Sequence, residues 1–473
     1  MIPPRLFSGS RSAVLLLVAA AVLLDGCVRY QPRPLSAENA ATALAARSLR
    51  DAGLKRFMTQ NLGHEPASWP LPQWDLGALT LAAWYFHPDM AVARAQVAAA
   101  QADKKAAGER PNPDFSFTPE YTGNPGGLSP WTLGFALDWP LETPGKRAGR
   151  LAAAAAGEKS ADYQLASTAW SVRSRLRAAL VSLWAAQQTE KWTDRRLADE
   201  SASFALLEKQ LTAGEIAAVE LARAHTTLEQ ARLAAEDARR QRRLARVAVA
   251  QALGLPGSAL AETPLDFGCL AGEPSPAGLP PADELQKMAL QTRPDILAAL
   301  AEYEAAEANL RLEIARQYPD FHLGPGYTWD QGAKRWSLGV GFTLPVFNRN
   351  RGAIAQAEAN RTAVRAKFDA LQTSVLGALE NARAGLQSAE ESLRTADELE
   401  RQQQARFAAA QARFSAGEIG RLEFLQSSGQ YDEAVLDHLN SLAQAQAAFA
   451  ALQDAVQRPL DGTGPAQPAA SAN

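Results

Sequence analysis

Four short stretches of this chain alternate between large apolar residues and small or polar ones. In one, Trp131, Leu133, Phe135, Leu137 and Trp139 alternate with Thr132, Gly134, Ala136 and Asp138. In another, Trp336, Leu338, Val340, Phe342 and Leu344 alternate with Ser337, Gly339, Gly341 and Thr343. Two further runs precede them: Phe115, Phe117 and Tyr121 against Ser116, Thr118 and Glu120, and Phe321, Leu323, Tyr327 and Trp329 against His322, Gly324, Gly326 and Thr328. A period of two predicts strands with unlike faces, at about 113–121, 131–140, 320–329 and 336–345. Each run is close to ten residues and ends in aromatic rings, which is the lettering of a transmembrane barrel strand. On that reading Trp131, Trp139, Trp329 and Trp336 face the membrane. A half-buried strand of a soluble sheet alternates in the same way. Four matched runs in an exported chain favour the membrane. Backbone groups cannot stay unpaired in lipid, so such a barrel must close. Four strands cannot enclose a lumen, so several copies must share one barrel; two copies give eight strands and three give 12.

Elsewhere the apolar period is that of a helix. Gly145 to Leu255 contains no proline, and Val172, Leu176, Leu180, Leu183 and Trp184 fall at helical spacing. A helix of about 65 residues is roughly 100 Å long and needs a coiled-coil-like partner along its length. Val346 to Arg458 is also free of proline, although Gly377 and Gly385 interrupt the pattern. Gly214 and Gly417 break the two stretches at matching points. Each predicts the tip of a helical hairpin, since glycine tolerates the left-handed conformation that ends a helix. Before the first strand, the pattern predicts a short helix over Ala40–Met58, a loop over Asn61–Gly77 and a helix over Leu79–Glu109, regular from about Asp89 because of Pro88.

These elements occur twice. HPD (His87–Asp89), NPDF (Asn112–Phe115), WTLGFALDWP (Trp131–Pro140) and TAGEI (Thr212–Ile216) are echoed by RPD (Arg293–Asp295), YPDF (Tyr318–Phe321), WSLGVGFTLP (Trp336–Pro345) and SAGEI (Ser415–Ile419). Pro88 to Pro113 and Pro294 to Pro319 both span 25 residues. A duplicated unit argues for one quasi-symmetric body. The expected plan is a signal segment at 1–26, a tether and short helix at 27–76, a first repeat at 77–256, a linker at 257–282 forming part of an equatorial region, a second repeat at 283–458 and a flexible tail at 459–473. The first hairpin covers 145–255 and the second 350–458. The fold class is mixed and mainly α, with a small transmembrane β part of four strands per chain and an internal two-fold repeat.

Composition narrows the function. A net charge of −3 from 48 basic and 51 acidic residues leaves no footprint for nucleic acid. Arg5 and Arg11 precede an apolar run from Ala13 to Leu24, and then come Asp25, Gly26 and Cys27. The run is too short to span a bilayer as a stable anchor. The layout resembles a bacterial lipoprotein signal, with Cys27 as the lipid attachment site. Cys269, the other cysteine, reads as a small apolar residue in the linker. The five histidines are scattered without metal-ligand spacing, and there is no Walker A motif, dinucleotide fingerprint or nucleophile elbow. No enzyme activity, metal site or cofactor is expected.

The most specific segments are TLPVFNRNRGAIAQAEAN (Thr343–Asn360), ARFSAGEIGRLEFLQ (Ala412–Gln426) and LEKQLTAGEIAAVELARA (Leu207–Ala224). With them, nearly the whole mature chain resembles the TolC-type outer-membrane efflux factors. LDWPLETPGKRAGR (Leu137–Arg150) is similar to the corresponding stretch of CzcC-like members that serve heavy-metal pumps. The resemblance implies a homotrimer with a 12-stranded β-barrel in the bacterial outer membrane and a long α-helical barrel in the periplasm. It implies docking of a periplasmic adaptor, joined to an inner-membrane RND-type pump, on the tips: Ala213, Gly214, Glu215 and Ile216, and Ala416, Gly417, Glu418, Ile419 and Arg421. It also implies an inward acidic gate near the second tip, for which Glu423 is the first candidate. Gln426 replaces a second acid, and Glu220 is the first-repeat counterpart. A passive efflux conduit for metal cations or small toxic compounds is the expected function. A type I protein secretion duct shares the fold, and a non-conducting periplasmic coiled-coil lipoprotein explains the helices but not the strands.

Overall fold

A computed structural model describes residues 29–123, 126, 129–261, 263–274 and 279–460. The signal segment, Cys27 and the tail after Leu460 lie outside the described residues. The chain divides into two compact units at Ala46. The first contains helix α1 (Ala37–Ala45), whose N-cap Ser36 accepts from the Asn39 amide. All that follows concerns the second.

Two expected helices are each split. The stretch predicted as one helix over Ala40–Met58 is α1 and then α2 (Ala52–Leu62), because the Asp51 carboxylate caps a new helix by accepting the Leu54 amide at 2.9 Å. The stretch predicted as Leu79–Glu109 is α3 (Leu76–Phe86) and α4 (Pro88–Gly108). Between them His87 is extended at φ −67°, ψ 130°, as the residue before a proline must be to avoid its ring. The segment from Leu49 to Trp74, expected as the end of a short helix and a loop, is part of the core. Leu54, Met58 and Trp74 are among its most buried side chains, and the Trp74 backbone pairs with the linker through Pro264 and Asp266.

The remaining elements follow the duplicated plan. Strands β1 (Asp114–Tyr121) and β2 (Trp131–Leu141) lead into α5 (Lys146–Thr212) and α6 (Ala218–Leu253). Helices α7 (Ala282–Gln291) and α8 (Pro294–Ala315) lead into β3 (Phe321–Asp330), β4 (Ala333–Phe342), α9 (Arg351–Ser415) and α10 (Arg421–Val456). The long helices α5 and α9 have 67 and 65 residues, and α6 and α10 have 36 each. The fourth strand begins three residues earlier than the alternation suggested, because Gln331 and Gly332 make a two-residue turn at φ 48° and 108° that draws Ala333–Arg335 into the ladder. It stops at Phe342 because its ladder partner there, Phe321, is the first residue of β3.

A helix of about 100 Å cannot be covered by one return helix of about 55 Å, so each long helix meets two in line. The C-terminus of α6 abuts the start of α4. A Cβ on Gly254 would lie 2.8 Å from the Phe86 carbonyl oxygen and 2.9 Å from His87 Cα. Arg47 ties the joint by donating to the Phe86 and Gly254 carbonyls at 2.8 and 3.1 Å. In the second repeat α10 abuts α8, and Arg293 itself donates to the Ala455 carbonyl at 2.6 Å. The HPD and RPD motifs thus mark equivalent joints, but in the first the arginine arrives from the N-terminal segment. Four helical columns lie side by side: α6 with α4, α5, α10 with α8, and α9. The main core lies where α2 to α6 and the linker converge, with Leu79, Leu176, Leu180, Leu253 and Leu260 fully buried.

The joint is testable. Gly254 has φ 73° as well as the close backbone approach, whereas Gly214 has φ 75° and open space around it. Gly214→Ala is expected to cost about 1–2 kcal/mol from the left-handed backbone alone. Gly254→Ala is expected to cost roughly 1–2 kcal/mol more, because backbone must shift. Chaotrope unfolding of the purified variants measures both, and equal losses would contradict the close-packed joint.

Candidate functional site

The four strands form one antiparallel sheet in the order β1-β2-β3-β4. Register decides which residues share a face, since directly paired residues project to the same side. Phe117, Phe135, Tyr327 and Trp336 form one row, and Pro119, Leu133, Trp329 and Lys334 another. Tyr121 pairs with Trp131, Trp139 with Leu323 and Val340, and Leu141 with Phe321 and Phe342. The four tryptophans singled out from sequence therefore lie on one apolar face. Trp336 is 82 % exposed. The rows between are small or polar: Ser116, Ala136, Gly326 and Ser337, then Thr118, Gly134, Thr328 and Arg335. The polar face carries its own pairs, Asp330 with Arg335 at 2.9 Å and His322 with Asp138 at 3.1 Å. Aromatic contacts run across the other face, with Tyr327 and Trp336 centroids 4.8 Å apart and Phe117 and Phe135 5.0 Å apart. Both outer ladders, on β1 and β4, have no partner within the sheet.

The sheet is pinned to the helices where its strands end. Lys146 lies 2.8 Å from Asp320, which also accepts the Thr143 amide at 2.7 Å. Partial burial works against the Asp320 charge, yet Lys146 and Thr143 hold its carboxyl below the usual range. Arg150 hydrogen-bonds Glu142 and lowers that carboxyl too. The exit of the first strand pair is thus clamped to the entry of the second.

The hairpin tips are two copies of one backbone motif. Glu215 N donates to Gln210 O and Gly214 N to Leu211 O, both at 2.9 Å. Glu418 N donates to Arg413 O at 2.9 Å and Gly417 N to Phe414 O at 3.0 Å. This is the Schellman closure, with glycine at φ 75° and 77°. Ala213, Gly214, Glu215, Ala416, Gly417, Glu418 and Arg421 are exposed. Ile419 is buried and Ile216 half-buried, so both pack at least partly into the turns. Of the gate candidates, Glu423 is exposed and lies 3.5 Å from Arg413, while Gln426 and Glu220 are exposed on their helices.

The profile of the family described as "Outer membrane efflux protein" matches residues 85–255 and 285–456. This chain belongs to that family. The two matched segments coincide with the two structural repeats, and the outer membrane is its location. Among relatives, the cobalt-zinc-cadmium resistance protein CzcC of Cupriavidus metallidurans is 29% identical over 259 residues, which is 52% of this chain and 58% of CzcC. The probable outer membrane lipoprotein SilC of Salmonella typhimurium is 30% identical over 167 residues, 33% of this chain and 35% of SilC. The chain thus matches between a third and three fifths of these two relatives. Among solved structures, the outer-membrane channel OprN superposes with a TM-score of 0.67 at 20% identity, covering 92% of this chain and 99% of OprN. CusC superposes with a TM-score of 0.66 at 18% identity, covering 92% and 100%. The efflux-family fold accounts for the mainly helical chain with its few antiparallel strands.

Sequence reasoning found the strands, their phase and both tips. It missed the charged pair between the helices, half-exposed Arg195 and fully buried Asp432, which lie 3.2 Å apart. A charge on an otherwise apolar helical stripe was the available signal. The two sheet faces predict opposite responses to the same charge. Phe117→Arg, on the apolar face, is expected to cost about 2–4 kcal/mol in a bilayer and to deplete outer-membrane oligomer, whereas Ser116→Arg next to it is tolerated. Heat-modifiable migration of extracted outer membranes reads both, and equal tolerance would reverse the assignment of faces.

Proposed function

We propose that this protein is the outer-membrane duct of a tripartite efflux system, a passive conduit without chemistry of its own. The observation that carries the reading is the sheet with one apolar and one polar face, joined to two long hairpins by a duplicated connection. Its apolar face and the four tryptophans meet lipid, and its polar face lines water. The ladders left open on β1 and β4 cannot remain unpaired in a bilayer, so β4 of one copy pairs with β1 of the next. Three copies make a 12-stranded barrel, wide enough for a lumen. The helical columns support the same ring, since α6 and α9 flank the layer and make no contact within one chain among the described residues.

The exposed tip residues then meet a periplasmic adaptor, which links the duct to an inner-membrane RND-type pump. Glu423 of three copies near one axis forms the acidic gate, with Gln426 one turn on and Glu220 as its first-repeat counterpart. Cys27 carries the lipid anchor, a reading supported by the lipoprotein relative SilC. The resistance relatives support metal cations as cargo; a pyoverdine export relative, OpmQ of Pseudomonas aeruginosa, matched over 74% of this chain, keeps small organic cargo in view. A duct for protein secretion is built on the same fold, and its genomic neighbour would be an ABC exporter.

Purified full-length protein in a planar bilayer is expected to give discrete conductance steps, and deletion of the gene to sensitise cells to cobalt, zinc or cadmium salts. A protein that neither conducts nor changes tolerance of any pump substrate is not a duct.

A further inference from the structure

The two hairpins of one chain meet along a seam between α5 and α10. Near the equator one seam carboxylate is satisfied on both oxygens: Trp170 Nε1 and Ser174 Oγ donate to Asp454 at 2.7 and 2.6 Å. Toward the tips another is not. Asp432, about three turns above the tip on α10, has no solvent exposure. Neither of its carboxylate oxygens accepts a hydrogen bond. Among the described residues its ion-pair partner is Arg195 of α5, with Nε 3.2 Å from Oδ1 but not aligned as a donor.

Arg195 is committed elsewhere. It donates to Ser428 at 3.3 Å, and its guanidinium lies over the rings of Trp192, Phe407 and Tyr431 at 5.1, 5.6 and 6.0 Å. Ser428 in turn donates to Asp199 at 2.7 Å, so a second α5 carboxylate stands close by. The groups that act on Asp432 are therefore Arg195, Arg196 and Asp199 from α5 and Tyr431 on its own helix, with Phe407 of α9 stacked on Tyr431. Glu400 of α9 acts on Tyr431 and is paired with His438. With the tips aligned, the first-hairpin counterpart of Asp432 is Glu229, which is exposed and paired with Arg232 at 2.6 Å. The buried carboxylate belongs to the seam within a chain and is not a feature of the repeat.

We propose that buried Asp432 makes the seam between the two hairpins a proton-sensitive latch, held more tightly when Asp432 is protonated and loosened when it ionises. The direction follows from linkage. Burial raises the Asp432 carboxyl to about 6, and Asp199 adds to this, while Arg195 and Arg196 only partly offset it. A seam that opens lets water reach Asp432 and returns it toward the ordinary carboxylate range near 3.9. The closed seam thus binds the proton more tightly than the open one. Closure is favoured by acid, and the preference is lost as pH rises through about 6. The position of the seam above the tips makes it a device for the duct proposed above, and only its consequence for opening rests on that reading.

The test is amide hydrogen exchange of the full-length protein at pH 5 and pH 7.5, corrected for the intrinsic pH dependence of exchange. Protection of the segment around Asp432 is expected to be about tenfold higher at pH 5. Asp432→Asn, which mimics the neutral acid without changing shape, is expected to show the tight seam at both pH values. Arg195→Gln removes the cation that favours ionisation and is expected to move the midpoint upward. His438→Gln is expected to leave the response in place. Equal wild-type protection at the two pH values, a seam loosened by Asp432→Asn, a midpoint moved down by Arg195→Gln, or a response abolished by His438→Gln would each overturn the latch. Exchange needs no pore, so absence of conductance would sink the duct without touching this result.

Discussion

The constraint on which this molecule rests is that peptide groups must be paired in a medium without water. A four-stranded sheet with one apolar face satisfies its inner ladders and leaves two outer ones open. In lipid each orphaned group is costly, so a single subunit is physically incomplete. The helical layer repeats the message, because its two flanking columns, α6 with α4 and α9, are the ones that follow or precede the open strands. Sheet and helices are unsaturated on the same two flanks, and one rotation repairs both.

The second requirement is reach. A helix of 67 residues is stable only with cover along its length. Two shorter helices placed in line provide that cover, at the cost of a joint with backbone ends to satisfy. Glycine at one joint permits close approach, and an arginine at each donates to the terminal carbonyls. The arginine is Arg293 in one repeat and Arg47 in the other, so the two joints share one chemistry supplied from different places in the chain. Asp432 and Glu229 likewise hold equivalent positions with unlike surroundings. One seam lies within a chain and can hold a buried charge, and the other helix face does not.

Much of this was legible in the linear chain because the signals are local. A period-two pattern fixes which residues share a face once a strand exists, and Gly214 and Gly417 mark turns that need a left-handed residue. The limits of the reading are equally physical. The break at His87 was seen only as a late helix start, since Pro88 suits a helix's first turn as well as a break before it. The segment from Leu49 to Trp74 read only as the end of a short helix and a loop because its few apolar residues are spread among prolines and polar residues. Their burial depends on partners far along the chain, in α3 and the linker. Ile216 and Ile419 hold matching places in the two tip motifs, yet Ile419 is buried and Ile216 half-buried.

The amino-acid sequence by itself determined the elements, the phase of each strand, the two-fold repeat and the two hairpin turns, because these follow from steric preferences and periodicities within a few residues. The tertiary structure decided the register of the sheet, the pairing of helix ends, which tip residues stay exposed and which charges lose their water. Those outcomes arise between positions hundreds of residues apart, such as Arg195 with Asp432 and Trp170 with Asp454. No local pattern specifies a neighbour at that separation; only packing does.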